Sequence, residues 1–158
     1  MRVSGNWIAV IISVVLALVL EFIRFPDLIA NARPEWLTLV LVHWILRRPD
    51  IAGVGFGFVI GLALDVVSGS YFGIHTLALS LVSYLLVGMQ KRVQLFPIPQ
   101  QAFVVFFLVT LSLFIVYTFE SLLSVPDNLI SIFLQAFTSA LIWPFFALLL
   151  DRISAWVR

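Results

Sequence analysis

Residues 53–73 read GVGFGFVIGLALDVVSGSYFG, and a small or acidic residue recurs at every fourth position of this stretch. The members of the series are Gly53, Gly57, Gly61, Asp65, Gly69 and Gly73. In a helix, a step of four residues drifts by only about 40°, so that Gly57, Gly61 and Asp65 share one stripe while the two ends of the series do not. Glycine on that stripe lets a second helix approach closely, and Asp65 adds a carboxyl group. We call this stripe the glycine–aspartate seam.

The composition is that of a membrane protein. Of the 158 residues, 63% are hydrophobic and only 11% are charged, whereas about a quarter of the residues in a soluble domain are charged. A membrane-crossing helix needs roughly 20 mostly apolar residues. We therefore predict an all-α integral membrane protein with a single transmembrane domain over residues 1–158. About six transmembrane helices are expected, at residues 5–23, 34–46, 51–67, 73–89, 101–119 and 129–150, of which the second is short.

The basic residues predict the orientation of these spans. With the N-terminus inside, the cytoplasmic segments hold Arg2, Arg47, Arg48, Lys91, Arg92, Arg152 and Arg158. Only Arg24 and Arg33 fall outside, which agrees with the positive-inside rule and predicts a multi-pass protein with both termini in the cytoplasm. A net charge of +1 gives no reason to expect nucleic acid as a partner. The sequence contains no cysteine, which excludes disulfides and thiolate metal sites within it.

Two interpretations of the glycine–aspartate seam are open on the sequence alone. The seam either receives a membrane helix of a partner or closes the protein's own bundle, because small residues favour close helix crossing in both cases. Asp65 is expected near the outer end of its span, where it either caps or packs the turn of residues 68–73 or contacts a partner or ligand. Replacing Gly57 or Gly61 with leucine is expected to disrupt folding or partner assembly.

Charged residues are also expected at the outer ends of the first two spans. Glu21 and Arg24 are three residues apart, can lie on one helix face, and are predicted to form an interfacial ion pair. Residues 33–36 are typical of a helix start, with proline at a first helical position, glutamate in the first turn and tryptophan at the interface. Arg33 is also a candidate docking contact for an external partner.

Most tryptophans lie near predicted span ends. Those expected in interfacial aromatic belts are Trp7, Trp36 and Trp156, and Trp44 lies close to the cytoplasmic basic pair. Trp143 and Pro144 instead fall inside the last span, where a proline frees a carbonyl group and usually kinks the helix. Such a kink serves either packing or a gating hinge.

No catalytic constellation is predicted. Residues 53–57 resemble a dinucleotide-binding glycine loop but lack its strand–turn–helix context. An intramembrane aspartyl protease needs two carboxylates that share a site, and Asp65 has no evident second aspartate, because Asp151 falls at the opposite surface. His43 and His75 are expected on opposite sides of the membrane with no carboxylate or cysteine cluster around either. Neither a metal site nor a cofactor is therefore expected.

Two blocks of residues carry a resemblance to a known family. The first consists of Arg33, Pro34, Glu35, Trp36 and Leu37, followed by His43, Trp44, Ile45, Leu46 and Pro49. The second is more characteristic and consists of Gly57, Phe58, Val59, Gly61, Asp65, Ser68, Gly69, Ser70 and Gly73. With Trp143 and Pro144 in the last span, these residues resemble the MreD family of rod shape-determining proteins over essentially the whole chain.

The resemblance implies a subunit of the bacterial inner membrane that belongs to the machinery of lateral peptidoglycan synthesis. Members of the family associate with MreC, a single-span protein with a large periplasmic part. Their complex also contains the MreB filament, RodA and its partner transpeptidase. No catalytic activity is attributed to the family, and its fold is similar to the six-helix substrate-binding subunits of vitamin transporters. A non-enzymatic scaffold that binds MreC and is in contact with membrane lipids is therefore expected.

Two other classes of function are open to a protein of this composition. A small transporter or ligand-binding subunit would need polar groups that converge on a pocket between helices. The polar residues available for such a pocket are few: Asp65, Thr110, Ser112, Gln135, Thr138 and Ser139. An intramembrane enzyme that acts on a lipid-linked substrate would need acids and bases at a common depth.

Overall fold

Six α-helices form the part of the chain described by the computed structural model, which covers residues 4–23, 31–69, 71–123 and 128–156. They are α1 (Ser4–Phe22), α2 (Trp36–Arg47), α3 (Val54–Ser68), α4 (Ile74–Val93), α5 (Ile98–Leu123) and α6 (Leu129–Trp156). The predicted all-α class is confirmed for these residues, and each predicted span corresponds to one helix. The sequence analysis also used Arg2, Arg24, Ser70 and Arg158, which lie outside the described residues.

The shortest helix, α2, is the centre of the bundle. Its 12 residues extend for about 18 Å, well short of the roughly 30 Å of a bilayer's hydrocarbon core. Residues 37–46 are all buried, and α2 contacts each of the other five helices. A helix that is mostly apolar on every side is stable when other helices surround it. The segment expected as a short second span is therefore an interior helix.

The start of α2 differs from the prediction that proline occupies a first helical position. The helix begins at Trp36, and Glu35 is its N-cap, so Pro34 lies outside it. The Glu35 N–H donates to Ser139 Oγ of α6 at 3.0 Å, while the Glu35 carbonyl accepts from the Leu39 N–H at 3.0 Å. The start of α2 is thus accompanied by a contact between segments far apart in sequence. The spacing of residues near Pro34 could not predict that contact.

Helices α2, α4 and α6 end at the same face of the bundle. Arg47 Nη2 pairs with Asp151 Oδ2 at 2.6 Å, which joins the ends of α2 and α6. The Gln94 side-chain amide, just after α4, donates to the Leu46 carbonyl. The end defined by these contacts also holds Arg48, Lys91, Arg92 and Arg152. The described basic residues that were predicted to be cytoplasmic therefore cluster together.

The loop after α2 is held by a local ion pair. Arg48 donates to the two carboxylate oxygens of Asp50, at 2.9 Å from Nε and 2.8 Å from Nη2. These hydrogen bonds hold the pKa of the Asp50 carboxyl below its usual value. Because Asp50 is 59% exposed, the pair orders the loop without burying charge.

The exterior of the bundle is apolar and its interior holds polar groups, the reverse of a soluble domain. Phe103, Phe107 and Phe145 are 70%, 68% and 77% exposed. The buried polar residues include Ser13, Thr38, His43, Asp65, Thr76, Ser83 and Ser139. Among the described residues, α5 and the Leu129–Ala155 part of α6 are long and apolar enough to cross a membrane. An apolar exterior of this extent indicates a lipid environment.

Candidate functional site

The glycine–aspartate seam lies between α3 and α4. A Cβ atom added at Gly61 would lie 2.5 Å from Thr76 Cα and 2.7 Å from the His75 carbonyl oxygen. A Cβ added at Gly57 would lie 2.8 Å from the Leu79 carbonyl oxygen. These are backbone atoms of α4, so the observed crossing requires glycine at both positions. In the described structure, α4 occupies the space that the seam leaves open.

The remaining glycines of the series have a different local role. A Cβ built at Gly53, Gly69 or Gly73 would meet no heavy atom within 4 Å, apart from its chain neighbours. Gly69 ends α3 with φ 64° and Gly73 precedes α4 with φ 101°. Residues other than glycine rarely adopt such left-handed backbone conformations. Gly69 and Gly73 therefore shape the turn between the two helices, while Gly57 and Gly61 allow them to pack.

Asp65 caps the N-terminus of α4 from the neighbouring helix. Its Oδ2 atom accepts hydrogen bonds from Gly73 N, Thr76 N and Thr76 Oγ1 at 2.9, 3.1 and 2.6 Å. Its Oδ1 atom accepts from His75 N at 3.0 Å and lies 2.9 Å from His75 Nδ1. The first N–H groups of a helix have no partner within it, and the positive end of the helix dipole favours a carboxylate. Of the two roles open to Asp65, the geometry is that of the cap.

A polar cleft lies next to this cap, and we call it the outer cleft. It has a volume of about 320 Å³ and is lined by Glu21, Phe22, Arg33, Glu35, Leu64, Val67, Ser68 and His75. Arg33 Nη2 pairs with Glu21 Oε1 at 2.7 Å, and Arg33 Nη1 donates to the Glu21 carbonyl oxygen at 3.1 Å. Thr38 Oγ1 donates to Glu35 Oε2 at 3.4 Å. The cleft thus combines side chains from the end of α1, the segment before α2, the end of α3 and the start of α4.

Glu21 has an ion-pair partner that the sequence analysis did not predict. Arg24, its expected partner, lies outside the described residues, and among the described residues Glu21 pairs with Arg33, twelve residues further along the chain. Helical spacing identifies neighbours on one helix, whereas this pair joins α1 to the segment before α2. Arg33 was predicted as part of a helix start or as a docking contact, and the structure gives it this internal partner.

Each histidine has one carboxylate as a neighbour, which the sequence analysis did not predict. His75 contacts Asp65, and His43 Nε2 lies 3.7 Å from Asp151 Oδ1 at the other end of the bundle. The sequence could not show these contacts, because both carboxylates belong to other helices. Glu35 was predicted as part of a helix start and of the family motif, and its position two residues from Arg33 in the sequence was the one local signal that the two residues share a site. No group of three or more His, Cys, Asp or Glu side chains in the described ranges could hold a metal ion.

The tryptophans of the family motif pack inside the bundle. Trp44 is 2% exposed, and its Nε1 atom donates to Ser13 Oγ of α1 at 2.8 Å. The ring of Trp36 lies 5.8 Å from that of Phe146 in α6. Trp143 is 1% exposed. These contacts hold α2 against its neighbours, so Trp36 and Trp44 have packing roles beyond the interfacial ones expected of them.

Pro144 lies within α6, as expected from the sequence. The helix continues through it, from Leu129 to Trp156. The proline ring removes one N–H donor from the helix ladder, next to the buried Trp143. The choice between a packing kink and a gating hinge stays a prediction.

These observations define a class of protein: an all-helical, membrane-associated bundle. Most of its described polar side chains form hydrogen bonds or ion pairs with other groups of the same bundle. A sequence profile of the family described as rod shape-determining protein MreD matches residues 1–153. The chain is also 30% identical over 153 residues to the rod shape-determining protein MreD of Haemophilus influenzae, which covers 97% of this chain and 94% of that protein. No solved structure matches the chain. The chain belongs to the MreD family, which confirms the resemblance and supports a role in rod-shape determination.

Proposed function

We propose that the chain is a non-enzymatic, multi-pass scaffold subunit of the bacterial inner membrane. In this proposal it has about six transmembrane helices with both termini in the cytoplasm and binds MreC directly. It helps to organise peptidoglycan synthesis along the lateral wall, in a complex that also contains MreB, RodA and its partner transpeptidase. The observation that carries the proposal is the family match over residues 1–153.

The hydrogen bonds of the interior polar side chains favour a scaffold over a transporter or ligand-binding subunit. Thr110 donates to the Phe106 carbonyl at 2.7 Å, and Thr138 donates to the Leu134 carbonyl at 3.0 Å. Ser139 donates to the carbonyl of Gln135, one turn before it in α6, at 2.7 Å. The two threonines thus bond within their own helix, and Ser139 Oγ also accepts the Glu35 N–H, so these hydroxyl groups bond inside the bundle, whereas the alternative requires them in a common pocket. The likeness to vitamin-transporter subunits stays a prediction.

Co-purification tests the proposed function. We expect the tagged protein, extracted in mild detergent from native membranes, to carry MreC in stoichiometric amounts and the wall synthases at lower yield, as measured by quantitative mass spectrometry. A tagged multi-pass protein of unrelated function, expressed at the same level, is the control for non-specific capture. Recovery of the protein alone, or with an ATP-hydrolysing transport module, would contradict the scaffold proposal.

The proposed topology has its own test, because the sequence contains no cysteine. Single cysteines at Asp50 and Leu95 are expected on the cytoplasmic side, and single cysteines at Phe72 and Leu122 on the periplasmic side. Phe72, Leu95 and Leu122 are 78%, 83% and 77% exposed, so substitution there disturbs little packing. A membrane-impermeant maleimide added to intact spheroplasts should label only the Phe72 and Leu122 variants, and all four after lysis. Labelling of Asp50→Cys before lysis would overturn the proposed orientation.

A further inference from the structure

The outer cleft contains a carboxylate oxygen without a partner. The Glu21 side chain is 10% exposed, and its Oε1 atom pairs with Arg33. Its Oε2 atom is buried and accepts no hydrogen bond within the described part of the chain. A buried acceptor that lost its water and gained no donor destabilises the folded state. Such an atom at the wall of a cleft indicates that a donor from another molecule completes the site.

The charges of the cleft indicate the sign of that molecule. Glu21 and Glu35 both line the cleft, and Arg33 is the one guanidinium among the described lining residues. Asp65, behind the cleft, already has the N-terminus of α4 as its partner. The described lining therefore holds two carboxyl groups against one guanidinium. A cationic ligand is favoured next to this excess of carboxyl groups, because an opposite charge nearby stabilises a carboxylate.

A primary ammonium group matches these requirements. It carries one positive charge and three N–H donors, which suits Glu21 Oε2 together with the carboxylate of Glu35. A metal ion is a poor match, because no group of three potential His, Cys, Asp or Glu ligands occurs among the described residues. The volume of about 320 Å³ is within the range of small-ligand sites.

The position of the cleft points to a lipid headgroup as the source of the ammonium group. The cleft lies where α1 and α3 end and where α4 begins, a level that corresponds to the headgroup region when the helices cross a bilayer. Phe22 lines it and is 63% exposed, which provides an apolar surface next to the polar site. The Arg33 side chain is 35% exposed, against 10% for Glu21, so its remaining N–H donors can face a phosphate nearer the surface.

We propose that the outer cleft binds the headgroup of an ethanolamine phospholipid. Glu21 and Glu35 accept hydrogen bonds from its ammonium group, and Arg33 faces its phosphate. This inference concerns the isolated subunit and does not depend on the binding of MreC.

Lipid binding by the purified protein tests the proposal. Delipidated protein is titrated with phosphatidylethanolamine, phosphatidylcholine or phosphatidylglycerol of identical acyl chains, and bound lipid is counted by native mass spectrometry. Phosphatidylcholine keeps the positive charge but has no N–H donor, and phosphatidylglycerol has neither. We expect phosphatidylethanolamine to bind about tenfold more tightly than the other two, since hydrogen bonds to a charged group are lost in them. Equal binding of the three lipids would overturn the proposal.

Free ethanolamine separates a lipid site from a site for small amines. We expect it to compete only at concentrations far above those of the lipid, because it lacks the phosphate and the acyl chains. Displacement of phosphatidylethanolamine by an equal concentration of free ethanolamine would overturn the assignment to a lipid.

Substitutions inside and outside the cleft test whether the lipid preference arises there. Glu21→Gln replaces the carboxyl group whose Oε2 atom has no partner with an uncharged amide and is expected to reduce the preference for phosphatidylethanolamine about tenfold. Glu120→Gln makes the same change near the end of α5, outside the cleft, and should leave the preference unchanged. Glu35→Gln provides the same test if the first variant does not fold. A folded Glu21→Gln or Glu35→Gln protein with the wild-type preference would contradict the proposal.

Discussion

Replacing Gly61 with alanine is expected to destabilise the folded bundle by about 1–3 kcal/mol, the usual range for overpacking. The added methyl group would lie 2.5 Å from Thr76 Cα and 2.7 Å from the His75 carbonyl oxygen. Both are backbone atoms, so a side-chain rotation cannot relieve the contact. The first turn of α4 would have to move away from α3, which would also loosen its hydrogen bonds to Asp65. Thermal unfolding of the purified protein, followed by tryptophan fluorescence, measures the loss.

Gly55→Ala is the matched control for this substitution. Gly55 lies on the same helix, and a Cβ atom there would have no heavy atom of another helix within 4 Å. Alanine is favoured over glycine in a helix by about 1 kcal/mol, so this variant should be as stable as the wild type or more so. If the two variants unfold at the same temperature, α3 and α4 do not approach as closely as described.

Asp65→Ala is expected to have an effect of similar or greater size. The substitution leaves the N–H groups of Gly73, His75 and Thr76 without their acceptor, and a buried donor without a partner costs about 1–3 kcal/mol. Three such donors suggest a loss of roughly 3 kcal/mol or more, which is a large part of the stability of an ordinary domain. The turn between α3 and α4 should become accessible to protease before the rest of the bundle unfolds. Unfolding temperature and limited proteolysis in the same detergent measure both effects.

Two further substitutions separate the cap from the charge. Asp65→Asn keeps one acceptor oxygen and should lie between the wild type and Asp65→Ala in stability. Asp50→Ala removes a carboxylate that is 59% exposed and should unfold close to the wild type, because exposed ion pairs contribute little. Wild-type stability of Asp65→Ala would show that α4 does not depend on this cap.

The four-residue periodicity predicted one part of the glycine–aspartate seam and left another part open. The four-residue spacing correctly places Gly57, Gly61 and Asp65 on one face of α3, because helical geometry alone relates them. It could not decide whether that face meets a partner or the next helix of the same chain. The same pattern did not distinguish the turn glycines, Gly69 and Gly73, from the packing glycines. A glycine required by a positive φ and a glycine required by close packing look identical in a sequence.

The outer cleft was less accessible to sequence reasoning. Its charged residues come from three helix ends, and each has an ordinary local explanation as part of a helix end. Arg33, in the segment before α2, pairs with Glu21 at the end of α1, and the Glu35 N–H donates at 3.0 Å to Ser139, which is 104 positions away. Sequence spacing does not predict such contacts, because they depend on how whole helices are arranged.

The sequence by itself determined the helical class, the approximate position of each helix, the apolar composition and the resemblance to the family. These properties follow from the lengths of apolar runs, from charge distribution and from motif residues, which act over one or two turns of helix. Tertiary structure alone decided that the 12-residue α2 is the buried centre, that α4 occupies the seam, and that Glu21, Arg33, Glu35 and His75 line one cleft. The reason is physical: helix formation is governed by neighbours along the chain, whereas packing and ion pairing join surfaces that the sequence keeps far apart.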